Sequence, residues 1–395
     1  MHPSATAYRV QNTWLQRRSL KAAVLGAGNI GSVVAMDFAR SLPSWEVTSA
    51  DLSLERAKRV SADYGGNNLV AAALDVGRFE DLVTFLRGFD LVISSLPGSV
   101  GFNAARASVE AGRNLIDVSF SPEDPFVLGD AAMEKAVVVI PDCGVAPGLS
   151  NALVGHGVSQ LQSVEKIHVM VGGLPVDRSL PLGYVVTWSV EGLIDEYTRK
   201  ARIIEDGASK EVEALSGVET IEFPGVGTLE AFFTDGARTL FRTVGPVREM
   251  WEKTLRYPGH VEAMRSLREL GCFDASPVDL DGVTVIPREL TARLLEGHLR
   301  VPAAADLLAM KVDVSGRRDG AESTLSYTLL DYYDKAHGIS AMARTTAFTA
   351  SIVAQMVAQG EIEGKGVLTP EEIGMKDVAF EDLLRRLRSR DVMIS

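Results

Sequence analysis

The sequence predicts an α/β protein: a doubly wound parallel sheet followed by a second, α+β domain on a mixed sheet. Three observations carry this. Over residues 21–143 short apolar runs alternate with helical stretches, the spacing of βαβ units. A glycine-rich turn follows the first apolar run directly. After Gly148 strand-like runs continue without long helices between them. The 395 residues, at roughly 150 per domain, allow two or three domains.

Ala22-Ala23-Val24-Leu25 reads as a parallel strand buried on both faces, and 32–40 as a helix closed by Pro43. The second strand, 46–50, ends at Asp51. A helix over 54–64 has Gly65-Gly66 just past its end, a C-cap signal. Strands then fall at 69–74, 90–95, 114–118 and 136–140, with helices at 79–86 and 104–111. Right-handed crossovers make such a series doubly wound. Beyond it, strands are expected at 164–171, 183–188, 201–205, 220–223, 307–314 and 324–332. Residues 247–270 read as mostly helical, interrupted at Pro258-Gly259. A long helix over 340–360, rich in small residues, is expected to return to the first domain. The expected organisation is a tail at 1–20, a nucleotide-binding domain at 21–143, a substrate and oligomerisation domain at 144–336, and C-terminal helices at 337–395. The tail holds Arg9, Arg17 and Arg18 and no acidic residue, which allows a transit peptide. It lacks the apolar stretch of a secretory signal and reads most simply as a short arm.

Composition narrows the function. Hydrophobic residues at 46% and charged residues at 23% are ordinary for a soluble globular protein. The net charge of −12 makes nucleic acid a poor partner and mildly favours a cationic ligand. Two cysteines, Cys143 and Cys272, exclude a disulfide scaffold and fit a reducing, cytoplasmic compartment. No apolar run approaches the roughly 18 residues needed to span a bilayer. The histidines at 2, 156, 168, 260, 298 and 337 have no metal-ligand spacing, so no metal is expected.

Gly26-x-Gly28-x-x-Gly31 directly after a strand and opening a helix is the dinucleotide fingerprint of a Rossmann-type fold. Gly26 makes the tight turn, Gly28 admits the pyrophosphate, and Gly31 lets helix and strand approach. Asn29, Ile30 and Gly31 then supply free N–H groups at the positive end of the helix. Asp51, twenty residues beyond Gly31, stands where a ribose-binding acid belongs. Its carboxylate accepts both ribose hydroxyls and repels a 2′-phosphate, so NAD is expected over NADP; the nearest arginine, Arg56, lies one helical turn on. Asp75-Val76 should pass the adenine edge. Leu96 and Pro97, in Ser94-Ser95-Leu96-Pro97-Gly98, leave the fourth strand at the carboxyl edge, and Ser119 leaves the next; ligands collect at that edge.

The segment 142–151 joins the two domains, and clefts between domains are default active sites. Downstream come Gly172-Gly173-Leu174-Pro175, the stretch 188–194, 230–236, 254–260 and Arg344-Thr345-Thr346. With Cys143-Gly144-x-x-Pro147-Gly148, these blocks resemble the saccharopine dehydrogenase superfamily from about residue 22 to 372, and within it the lysine 6-dehydrogenase-like group. The resemblance implies oxidation of the ε-amine of L-lysine by hydride transfer to NAD. Imine hydrolysis then gives allysine, which closes to the piperideine carboxylate. It also implies a homo-oligomer formed through the second domain's sheet. Saccharopine- or carboxyspermidine-type chemistry on the same scaffold, or a non-catalytic NAD-binding protein, are the alternatives.

An alkyl ammonium with a pKa of about 10.4 must shed a proton before hydride can leave. Asp142, Asp117 and His260 are the candidate acceptors, Asp142 first because it ends a strand beside the nicotinamide position. A substrate carboxylate wants a bidentate arginine: Arg238, with Thr239, from the family-like block, with Arg242, Arg256 and Arg344 as rivals. Tyr184 and Trp188 are expected to wall the methylene chain. Cys143 has no adjacent histidine and reads as a small buried residue.

Overall fold

A computed structural model describes residues 20–301 and 304–395; the expected N-terminal arm, apart from Leu20, lies outside the described residues. Among the described residues the first sheet has seven parallel strands. From one edge they run Gly366–Val367, Val138–Ile140, Asn114–Asp117, Leu91–Ser94, Lys21–Leu25, Glu46–Asp51, Leu69–Ala73. The chain starts at Lys21–Leu25, moves out two strands on one side, then crosses to Leu91–Ser94 on the other. That reversal opens a crevice at the carboxyl ends of the two central strands. Residues 22–25 are fully buried, which is why the first strand is an unbroken apolar run.

The second sheet is mixed. Its main path is Glu219–Phe223, Gly227–Thr234, Glu249–Arg256, Ser163–Pro175, Asp306–Arg318, Ala321–Tyr332; the hairpin Ala201–Glu205/Ala208–Val212 joins beside Glu249–Arg256. Glu249–Arg256 and Ser163–Pro175 run parallel, and Asp306–Arg318 is antiparallel to its neighbours on both sides. The expected α+β second domain is therefore present.

Two local expectations are corrected. Residues 247–270 are not mostly helical: Glu249–Arg256 is a central strand, and only His260–Glu269 is helix. Glu252, Lys253, Thr254 and Arg256 are all buried in that strand, so its polar residues point inward and hide the strand pattern. Residues 183–188 form no strand. They lead from the turn Pro181–Gly183 into the helix Val190–Thr198, whose N-cap Ser189 accepts a hydrogen bond from the Gly192 amide at 3.2 Å. The strand Gly227–Thr234 was not expected.

The long helix Ala341–Ala358 does return to the first domain. Ser340 caps it, accepting from the Ala343 amide at 3.1 Å; small residues such as Ala347, Ala350 and Ala354 are buried along it, and it packs on the helix Asn29–Ser41. The contact is pinned by Asp37, which accepts from Ser351 Oγ at 2.6 Å, Gln355 Nε2 at 3.1 Å and Arg390 Nε at 2.8 Å. Among the described residues no helix is long and apolar enough to cross a membrane.

Candidate active site

The nucleotide crevice is built from backbone. Gly28 precedes the helix Asn29–Ser41 and no side chain caps it. The first helical bond runs from the Ser32 amide to Gly28 O at 3.0 Å, so the amides of Asn29, Ile30 and Gly31 precede it and are free to hold an anion. A Cβ on Gly31 would lie 1.9 Å from Gly26 O, so only glycine lets the turn fold onto the helix. Beyond Gly28 the space is open among the described residues. Asp51 is tied to this loop: Oδ2 accepts from the Ala27 amide at 2.8 Å, and Oδ1 from the Ser53 amide at 2.8 Å. Arg56, one turn away in sequence, reaches the same carboxylate, with Nη2 2.9 Å from Oδ1. Asp75 Oδ1 accepts from the Gly77 amide at 2.9 Å, and Val76 O accepts from Asn103 Nδ2 at 2.9 Å, ordering the third strand's exit loop. Leu96 and Pro97 lead into the helix Gly98–Glu110 at the same carboxyl edge. These residues fit a dinucleotide: an uncapped helix N-terminus, a glycine cradle and an acid at its rim.

Between the sheets lies a cleft. Ile30, Val118, Phe120 and the turn 144–147 line it from one side, Met342 and Thr346 from the long helix. The second domain contributes Gly172, Gly173, Tyr184, Trp188 and a polar group: Asp195, Glu196, Arg199, Thr234, Asp235, Gly236, Glu252, Thr254 and Arg256. Tyr184 and Trp188, expected as walls for a methylene chain, both line the cleft and are joined by Trp188 Nε1 donating to Tyr184 Oη at 3.2 Å. Burial, with Glu196 and Asp235 nearby, pushes the Glu252 carboxyl up to about 8. Burial also raises Asp235, and raises Glu196 although Arg256 Nη2 lies 2.6 Å from it. Arg199 bonds Asp195 through Nη2 at 3.3 Å, while its Nη1 is buried without a partner among the described residues. Arg256 Nε is left in the same condition.

The other expected residues lie elsewhere. Asp142 and Arg238, expected in separate roles, are each other's partner: Arg238 Nε donates to Asp142 Oδ2 at 2.8 Å. Both face a smaller adjoining cavity with Asp117 and Ser119, not the main cleft. Asp117, raised to about 6 by burial, accepts from Ser119 Oγ at 2.6 Å and from its amide at 3.1 Å. His260 has no free nitrogen. Nε2 is 2.8 Å from Tyr197 Oη and Nδ1 2.9 Å from Leu182 O, and burial pushes the ring down to about 3. Thr239 Oγ1 accepts from Asn151 Nδ2 at 3.3 Å, beside buried Glu371. Arg344 pairs with Asp331 and Asp334, fixing the long helix to the second sheet's end rather than to the first domain. Arg242 pairs with Asp124. Cys143 is buried and its thiol is pushed up by burial. Sequence reasoning missed Glu252, Asp235, Glu196 and Arg199. The available signal was a charge set among the buried apolar residues of a strand, Glu252 between Met250 and Leu255.

Two family models cover nearly the whole chain. Residues 22–140 match the saccharopine dehydrogenase NADP binding domain, and residues 144–393 the saccharopine dehydrogenase C-terminal domain. The chain belongs to the saccharopine dehydrogenase family. The description of the first model as NADP-binding supports a nicotinamide dinucleotide as the ligand of that domain. The mitochondrial alpha-aminoadipic semialdehyde synthase of Bos taurus is 24% identical over 94% of this chain, which spans only 47% of that protein. Carboxyaminopropylagmatine dehydrogenase of Synechocystis is 22% identical, covering 89% of this chain and 92% of the relative. The fold matches apo saccharopine dehydrogenase (L-Glu forming) from Saccharomyces cerevisiae with a TM-score of 0.77, at 19% identity over 95% of this chain and 99% of that one.

Proposed function

We propose that the protein oxidises the ε-amine of L-lysine, with NAD as cofactor, giving allysine and ammonia. One observation carries the reading: four carboxylates, Asp195, Glu196, Asp235 and Glu252, line the cleft against two guanidinium groups, Arg199 and Arg256. Burial holds Glu196, Asp235 and Glu252 back from ionising. An arriving cation stabilises their charged forms, so the cleft rewards an ammonium group and resists a substrate rich in carboxylates, such as saccharopine. Arg199 suits the single α-carboxylate, because its buried Nη1 lacks a partner and a carboxylate oxygen would supply one. Tyr184 and Trp188 offer apolar walls for the methylene chain. The amides of Asn29, Ile30 and Gly31 would hold the pyrophosphate of the dinucleotide, whose nicotinamide would supply the hydride acceptor.

The Synechocystis relative supports a second reading, since the match covers 92% of its length. That reading is a carboxyspermidine-type dehydrogenase, which splits or forms a carboxylated secondary amine. Absorbance of the reduced cofactor, followed with L-lysine, saccharopine, ornithine and polyamine derivatives, separates the cases. Signal with L-lysine supports the first reading, and signal with secondary amines alone moves the assignment to the second. Silence with every amine leaves a non-catalytic nucleotide-binding protein. The proposal includes a cytoplasmic homo-oligomer assembled through the second domain's sheet. A monomer by light scattering would remove that part.

A further inference from the structure

We infer that Glu252 is the catalytic residue that takes the proton from the substrate's ammonium group, and that Gly236 exists to give its carboxylate room. This rests on the amine-oxidation reading above.

Glu252 lies in the second sheet's central strand Glu249–Arg256, opposite Thr234 in one neighbour and Val169 in the other. Its side chain lines the cleft, and it is only 5% exposed. Among the described residues no side chain or backbone group hydrogen-bonds to the carboxylate, in a region where nearly every other acid has a partner. Glu196 has Arg256, Asp195 has Arg199 and Arg288, and Asp142 has Arg238. A buried carboxylate with no protein donor is costly unless a ligand completes it. The approach is also made to measure: a Cβ on Gly236 would lie 1.7 Å from Glu252 Oε2. The charges that act on Glu252 are Glu196 from the helix Val190–Thr198, Asp235 after the strand Gly227–Thr234 and, from the adjoining cavity, the paired Arg238 and Asp142. Three of the four are acids, so the site resists a second negative charge and welcomes a cation. The resulting pKa, about 8, lies close to working pH, where a general base is most effective.

The step balances. The proton passes from the ammonium nitrogen to a Glu252 oxygen. The freed nitrogen lone pair becomes the second bond of C=N as the ε-carbon loses its hydride to oxidised nicotinamide, a two-electron acceptor. Water then adds to the iminium carbon, and the aldehyde and ammonium ion leave.

The test compares wild type with Glu252→Gln, Glu252→Asp and Gly236→Ala, recording kcat/KM against pH, nucleotide binding and thermal stability. Glu252→Gln should bind nucleotide and stay folded but lose about 10²-fold or more in kcat. The acid limb of its kcat/KM profile should move from near 8 toward the free amine's value of about 10.4, because the substrate must then arrive neutral. Glu252→Asp should recover part of the rate, and Gly236→Ala should resemble Glu252→Gln. A Glu252→Gln variant with wild-type kcat and an unmoved acid limb would overturn the assignment and leave amine oxidation standing. Absence of turnover by wild type with any amine would overturn both.

Discussion

Arg56 decides how far Asp51 can speak for the cofactor. In the sequence Asp51 alone argues for NAD, since its carboxylate would repel a 2′-phosphate. In the fold Arg56 Nη2 sits 2.9 Å from that carboxylate and offsets part of its charge. Asp51→Ala should weaken NAD and narrow the NAD-to-NADP ratio of kcat/KM, while Arg56→Ala should widen it. An unchanged ratio in both variants would remove the pair from cofactor choice. A second residue-scale prediction concerns Asp142 and Arg238, 2% and 10% exposed. Arg238→Ala leaves a buried carboxylate without its partner and should cost about 3–5 kcal/mol of stability. The double replacement Asp142→Asn/Arg238→Ala should cost less, a non-additivity that urea denaturation can measure. The fingerprint glycines and Asp51 were legible because their spacing is dictated by one local turn. Glu252, Asp235, Glu196 and Arg199 were not, because they come from separate elements and meet only across the sheet. The same folding joined Asp142 to Arg238, 96 residues apart, which no spacing rule announces.

At the scale of elements, polarity inside the sheet is what defeated the periodicity reading. The strand Glu249–Arg256 buries Glu252, Lys253 and Arg256, so the alternation of a half-buried strand is absent. The long helix Ala341–Ala358 was legible for the opposite reason. Its cap, Ser340, and its run of small residues are both local signals. It packs on the helix Asn29–Ser41, whose first turn carries the free amides. Ala350 is fully buried in that helix, so Ala350→Leu should overpack its surroundings and cost about 1–3 kcal/mol. The helix Ala341–Ala358 also packs on the helix Asn29–Ser41, so a shift of the former should lower nucleotide affinity as well, measurable by titration calorimetry. A variant with native stability and native affinity would show that the helix pair does not couple packing to binding.

For the whole molecule, the groups that suit the site to its chemistry also shape its stability against pH. Glu252 has a folded pKa near 8, well above the ordinary carboxylate range. Between its unfolded value and 8 the unfolded chain has released this proton and the folded chain has not, so stability falls as pH rises through that window. His260 acts from the other side. Its folded value near 3 lies below the unfolded 6.5, so stability falls as pH drops below 6.5. The free protein is squeezed between the two. Glu252→Gln removes only the alkaline contribution. Its Tm should therefore exceed that of wild type by several degrees at pH 9, with the gap closing toward pH 4. Saturating L-lysine should raise the wild-type Tm more at pH 9 than at pH 6, because the bound ammonium compensates the ionised carboxylate. A stability traded for a poised carboxylate is the pattern expected of an active site. Scanning fluorimetry across this range decides it: a Tm difference independent of pH would mean that the Glu252 carboxyl titrates alike in the folded and unfolded chain.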